Sequence, residues 1–204
     1  MAKGKVKRTV LDDLGGKNPV FAQILGICST LAVTNSFRNT VVMTMGVIFT
    51  TSLANLTVSI LRKSIPGRIR MMVETLIIAT FVIIVDIVLK AYVPEIWKQL
   101  GPYVGLIITN CIIMGRAEAF ALSNPPGLSL VDGLASGIGY AYVLLIIAFF
   151  RELLGSGTIW GISVFGDWWT NWSIMIMPPG AFFMLAIFIW VVRGALLKPE
   201  EEKK

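Results

Sequence analysis

GPYVGLIITNCIIMGRAEAF, residues Gly101–Phe120, is apolar for its first fifteen positions and then meets Arg116 and Glu118. A helix rises 1.5 Å per residue, so a stretch of that length covers about 22 Å of a hydrocarbon core near 30 Å. Read as a helix, it is too short to cross, and it carries Cys111 past its middle. The run Pro19–Val33, PVFAQILGICSTLAV, has the same length and carries Cys28 at nearly the same place.

The surrounding sequence is that of a membrane protein. Of 204 residues, 55% are hydrophobic and 15% charged, and the mean hydropathy is +0.77, far from the balance of soluble domains. Apolar runs of helix-spanning length alternate with charged loops, and strand-like alternation is absent, so the expected fold class is an all-α integral membrane protein. Six segments are expected, at 18–34, 39–61, 71–89, 101–115, 129–150 and 179–196. They form one transmembrane domain, 18–196, between a cytoplasmic tail, 1–17, and a second one, 197–204. The basic N-terminus imitates a signal peptide, but no small-residue cleavage site follows, so the first segment is expected to be retained.

Charge sets the orientation. With both termini cytoplasmic, all but Arg38, Lys90, Lys98 and Arg151 of the 18 Lys and Arg residues fall inside, as the positive-inside rule asks. The +6 net charge is therefore read as topology, and no nucleic-acid partner is expected. Trp97, Trp160, Trp168, Trp169 and Trp172 fall in the third and fifth loops, where amphipathic rings favour the headgroup region or a partner subunit.

Each short segment opens a set of three, at about 18–98 and 99–196, and repeats with an odd number of crossings enter the membrane in opposite senses. The expectation is an inverted repeat of three plus three whose first and fourth members are half-helices bringing both cysteines to the midplane. Gly26, Ser29, Thr30, Thr34 and Asn35 in one, and Gly105, Thr109, Asn110 and Gly115 in the other, suit broken backbone.

The chain has two cysteines and no histidine, which removes imidazole ligation, a His base and a catalytic triad. A buried cysteine is often only a small apolar side chain. Thiolates are also soft ligands for iron–sulfur clusters, zinc or copper(I), and a cluster usually takes four. Two cysteines make half a site, which a second chain of the same architecture could complete. A stand-alone inverted-repeat transporter and an inert scaffold are the competing readings.

LGICSTLAVTN (Leu25–Asn35), LIITNCIIMGRAEAFA (Leu106–Ala121), IVDIVLKAYV (Ile84–Val93), VDGLASGIGY (Val131–Tyr140) and FFRELLGSG (Phe149–Gly157) resemble the D-type subunits of the bacterial Na+-translocating NADH:quinone oxidoreductases, and more distantly the E-type subunits of the related Rnf complexes. The resemblance covers nearly the whole chain. It implies a subunit of a six-subunit complex (A to F) in the bacterial inner membrane, surrounded by lipid and closest to a homologous E subunit of opposite orientation. It implies a 2Fe-2S cluster shared with that subunit through Cys28 and Cys111. That cluster would relay electrons from the NADH-oxidising subunit toward flavin while NADH oxidation and ubiquinone reduction drive Na+ export. The chain would not be catalytic alone.

The resemblance also links Asp86 and Asp132 to sodium. Asp86 and Lys90 stand at i and i+4, however, so a local ion pair is an alternative, as is an N-cap role for Asp132 at a hydrated junction. Arg70 and Glu74 share the same spacing and are expected to pair. Arg116 and Glu118 either seat the end of the half-helix or are solvated. GSGT, Gly155–Thr158, differs at its third residue from the Ser-Gly-Ala-Thr text that carries covalent flavin in sister subunits, so no flavin is expected on this chain.

Overall fold

A computed structural model of the chain describes Val20, residues 25–159, 162–163 and 177–192, and Gly194. Among these residues the helices are α1 Ile27–Val33, α2 Phe37–Leu61, α3 Arg70–Tyr92, α4 Pro94–Ile108, α5 Cys111–Arg116, α6 Pro126–Ser156 and α7 Pro178–Val192. A 3-10 turn, Gly67–Ile69, leads into α3, and a π-helical turn, Ala117–Ala121, extends α5. A small antiparallel ribbon, β1 Thr158–Ile159 against β2 Ile162–Ser163, follows α6. The tails and Trp160, Trp168, Trp169 and Trp172 lie outside the described residues.

Four helices are long and apolar enough to cross a membrane: Phe37–Leu61, Gly67–Tyr92, the interrupted Pro94–Ala121 and Pro126–Ser156. Pro179–Val192 is a shorter apolar helix, where the segment at 179–196 is expected. The first expected segment, 18–34, is described only in part.

The expected half-helix at 101–115 is corrected. Its helix begins seven residues earlier, at Pro94, with proline in the first turn and Glu95 beside it, both favoured at a helix start. Ile96, Leu100, Val104 and Ile107 are buried along one face, the spacing of an amphipathic helix. Glu95, Lys98 and Gln99 lie between these positions, so their polarity marks a second face rather than a loop. Trp97 accordingly sits in α4 and not in a connecting loop. The segment reaches Ala121 as a 28-residue span with a break at Thr109–Asn110. What precedes each cysteine is thus an interruption, and the second segment is not short.

Helices α2 and α6 form the centre and run antiparallel. Glu152 near the end of α6 accepts the Phe37 N–H that opens α2, and Arg62 just past the end of α2 donates to the Asn124 carbonyl ahead of α6 at 2.9 Å. Between these ends the backbones approach through small residues, because a Cβ on Gly133 would lie 2.9 Å from Ser52 Cα and one on Gly137 3.1 Å from Ile48 Cα. Close approach of this kind drives helix association in lipid, where burial from water is not available. Thr51 and Ser52 return their hydroxyls to the carbonyls of Val47 and Ile48 at 2.6 and 2.7 Å, so these two hydroxyls are satisfied within the helix. By contrast α3 is peripheral: 22% of its spanning window is buried, against 61% for α6. Its exposed Leu76, Ile83 and Ile87 suit contact with lipid.

Candidate cysteine site at two helix breaks

Both cysteines start a short helix after an interruption of the backbone. Gly26 precedes α1 with φ +85°, a left-handed conformation that costs any residue with a Cβ. Asn110 precedes α5 in extended conformation, and its side-chain oxygen accepts from the Ile112 N–H at 3.1 Å, an N-cap. Cys28 is then the second residue of α1 and Cys111 the first of α5.

The breaks are joined to each other. The Gly26 N–H donates to Cys111 Sγ at 2.9 Å, and Asn110 Nδ2 donates to Ser29 Oγ at 3.3 Å. Ser29 also bonds the hydroxyl of Tyr140, a fully buried residue near mid-length of α6. The Gly26 carbonyl accepts from Ser29 Oγ at 3.2 Å and Thr30 Oγ1 at 2.8 Å. No side chain fits at position 26, because a Cβ there would lie 2.7 Å from the Tyr140 ring and 2.9 Å from Ile112 Cδ1. Cys28 is exposed and Cys111 half-buried, and both are free thiols.

From this junction the short helices diverge toward opposite ends of α6. At the far end of α1, the buried Arg151 of α6 donates to Thr34 Oγ1 at 2.7 Å, the Leu31 carbonyl at 3.3 Å and the Met177 carbonyl at 3.2 Å. At the far end of α5, Arg116 binds Asp132 of α6 through Nε, at 3.1 Å to Oδ2, and through Nη2 to Oδ1. Asp132 is fully buried and lies inside α6, whose N-cap is Pro125, so the N-cap expectation for Asp132 is corrected. Arg116 is buried as well, and the fork geometry of a bidentate guanidinium–carboxylate pair accounts for both.

Two local pairings are also corrected. Arg70 reaches across to Glu118 of the π-helical turn through Nε and Nη2, not along its own helix to Glu74. Glu74 is buried, with Oε1 lacking a hydrogen-bond partner. Asp86 accepts from Trp97 Nε1 at 2.9 Å, while Lys90 lies over the Trp97 ring, 5.0 Å from its centroid. The tertiary position of α4 thus replaces the i,i+4 pair. Asp86 also borders a cleft of about 220 Å³ with Val82, Gly101, Val104 and Gly105.

Residues 6–189 match the model of the Rnf-Nqr subunit family, described as membrane proteins. The chain belongs to the Rnf-Nqr subunit family. Rnf-Nqr subunits are parts of membrane redox complexes, and the four spans of this one agree with a multi-pass membrane protein.

In this Rnf-Nqr subunit, no group of three or more His, Cys, Asp or Glu side chains among the described residues could hold a metal ion. The soft donors at the junction are the two thiols, a partial ligand set for any iron–sulfur centre. They fit that use: Cys111 Sγ already accepts a backbone N–H over a glycine cradle, an arrangement that suits a ligating sulfur. Sequence reasoning missed Tyr140. Its signal was a phenol among the glycines and alanines of VDGLASGIGY, since a buried tyrosine hydroxyl requires a partner.

Proposed function

We propose that this Rnf-Nqr subunit is the D-type membrane subunit of a Na+-translocating NADH:quinone oxidoreductase. Cys28 and Cys111 would supply half the ligands of a 2Fe-2S centre, and the homologous E subunit the other half. The observation that carries the reading is the Gly26 N–H bond to Cys111 Sγ at 2.9 Å, which ties the two cysteine-bearing breaks into one site. Exposure of Cys28 leaves that site open on the side from which a partner's sulfurs would approach.

Bound there, such a centre supplies one-electron transfer within the membrane. The residues of this chain would hold it: Cys28 and Cys111 would ligate as thiolates, Gly26 donates to the Cys111 sulfur, and Arg151 and Arg116 fix the far ends of α1 and α5. The opposed directions of these short helices support a six-helix inverted repeat of three plus three, with α1–α3 answering to α4–α7. Such a repeat, with both termini cytoplasmic in the bacterial inner membrane, would have its breaks near the midplane, where broken helices carry the sites of such folds.

For sodium, Asp86 is the better-placed carboxylate because it borders an open cleft. Asp132 would reach an ion only on release from Arg116. An intramembrane carboxylate is costly unless paired or ion-bound.

Cys28→Ala and Cys111→Ala, each in the assembled six-subunit complex, are expected to lose the intramembrane iron and NADH-driven quinone reduction. Full iron content in both variants would sink the proposal. The same geometry serves an E-type subunit of an Rnf complex, and the acceptor reduced by the purified complex, quinone or NAD, separates the two.

A further inference from the structure

We infer that Tyr140 is a positioning residue for the Cys111 sulfur: through Ser29 it fixes Gly26, whose N–H bonds that sulfur, and so sets the reduction potential of the centre proposed above. The inference rests on that reading for its redox consequence, though not for the clamp itself.

The hydrogen-bond donors can be assigned one by one. Ser29 has a single hydroxyl proton, and the Gly26 carbonyl 3.2 Å away is an acceptor with no proton of its own. Ser29 Oγ therefore accepts from its other two neighbours, the Tyr140 hydroxyl and Asn110 Nδ2. Asn110 is fixed in this sense because its oxygen is already occupied by the Ile112 N–H. The chain of bonds then runs from the Tyr140 phenol to Ser29, from Ser29 to the Gly26 carbonyl, and from the N–H of the same glycine to Cys111 Sγ.

The Tyr140 ring adds a steric wall. It stands so close to Gly26 that a Cβ would lie 2.7 Å from it, which leaves the glycine little room to swing its N–H off the sulfur. A donor aimed at a ligating sulfur withdraws negative charge from it and stabilises the reduced state, so such bonds raise the potential of an iron–sulfur centre. Tyr140 is fully buried and makes no hydrogen bond to Cys111 among those described; its hydroxyl also lies within hydrogen-bonding reach of Asn110 and Thr30, so it acts on the sulfur through the residues that hold Gly26, Ser29 first among them.

The test uses the assembled complex with Tyr140→Phe, which keeps the ring and removes the hydroxyl, with Ser29→Ala, and with both. Iron content, the midpoint potential from an EPR redox titration, and hydrogen–deuterium exchange at the Gly26 amide are measured. Tyr140→Phe is expected to keep its iron, to show a lower midpoint potential and to exchange the Gly26 amide faster. The double variant is expected to shift no further than the larger single one, because both act through one route. Wild-type potential and wild-type exchange in Tyr140→Phe would overturn the inference. Loss of iron from Tyr140→Phe would also overturn it, since the hydroxyl would then be needed to build the site rather than to tune it. A wild-type complex without iron on Cys111 would instead bring down the cluster reading, and Gly26 exchange alone would then decide the clamp.

Discussion

At the first break the backbone passes through Gly26 at φ +85°; at the second it passes through Thr109 and Asn110 without leaving the ordinary negative-φ regions. The first break relies on the absence of a side chain, which lets an N–H reach a sulfur on another segment. The second relies on the presence of one, since the Asn110 amide caps α5 and grips Ser29 at once. The far ends differ in the same way. The bonds from Arg151 to α1 go to neutral carbonyl and hydroxyl oxygens, whereas Arg116 holds α5 by a buried carboxylate. Two sites with a common plan are thus secured by different chemistry, and the cysteine of one is exposed while that of the other is half-buried.

The sharpest way to break this comparison is at the charged end. Arg116→Ala leaves Asp132 buried without its guanidinium, and removing one member of a buried pair costs about 3–5 kcal/mol. Thermal unfolding of the detergent-solubilised complex should fall steeply, and an Arg116→Met, Asp132→Leu double variant should recover much of the loss. Equal stability of the two would mean that the pair carries no buried charge cost.

Gly26→Ala comes next. The left-handed conformation and the overlap with Tyr140 together cost about 2–4 kcal/mol, and the variant should also lose Cys111-bound iron, whereas Gly105→Ala, where a Cβ would meet open space, should keep it. Arg151→Ala, which removes charge-assisted bonds to neutral oxygens, should cost about 1.5–3 kcal/mol in the same unfolding measurement. A loss as large as that of Arg116→Ala would erase the distinction between the two far ends. The smallest effect is expected from Asn110→Ala, at about 1 kcal/mol for a lost N-cap, with its main consequence read in the spectrum of the centre rather than in stability.

Much of the membrane fold was legible because hydrophobic runs of spanning length leave few alternatives: the segments 39–61, 71–89 and 129–150 fall within observed spans. The error at 101–115 came from weighing charge instead of period. Glu95, Lys98 and Gln99 interrupt the apolar run in a linear reading, yet they leave the face of Ile96, Leu100, Val104 and Ile107 intact. Spacing alone likewise pairs Asp86 with Lys90 and Arg70 with Glu74. In both cases a group from another helix offered a better-directed bond, the Trp97 indole to Asp86 and the Glu118 carboxylate to Arg70.

The sequence by itself determined that this chain is a helical membrane protein and that Gly26 and Asn110 stand just before its two cysteines, because hydropathy and local backbone preference act over a few neighbouring residues. Only the tertiary structure decided that the breaks meet, that Tyr140 lies beneath them and that Arg116 and Arg151 reach opposite ends of α6. Those contacts join residues as far apart as Leu31 and Arg151, and no local periodicity encodes which donor will find which acceptor once the helices pack.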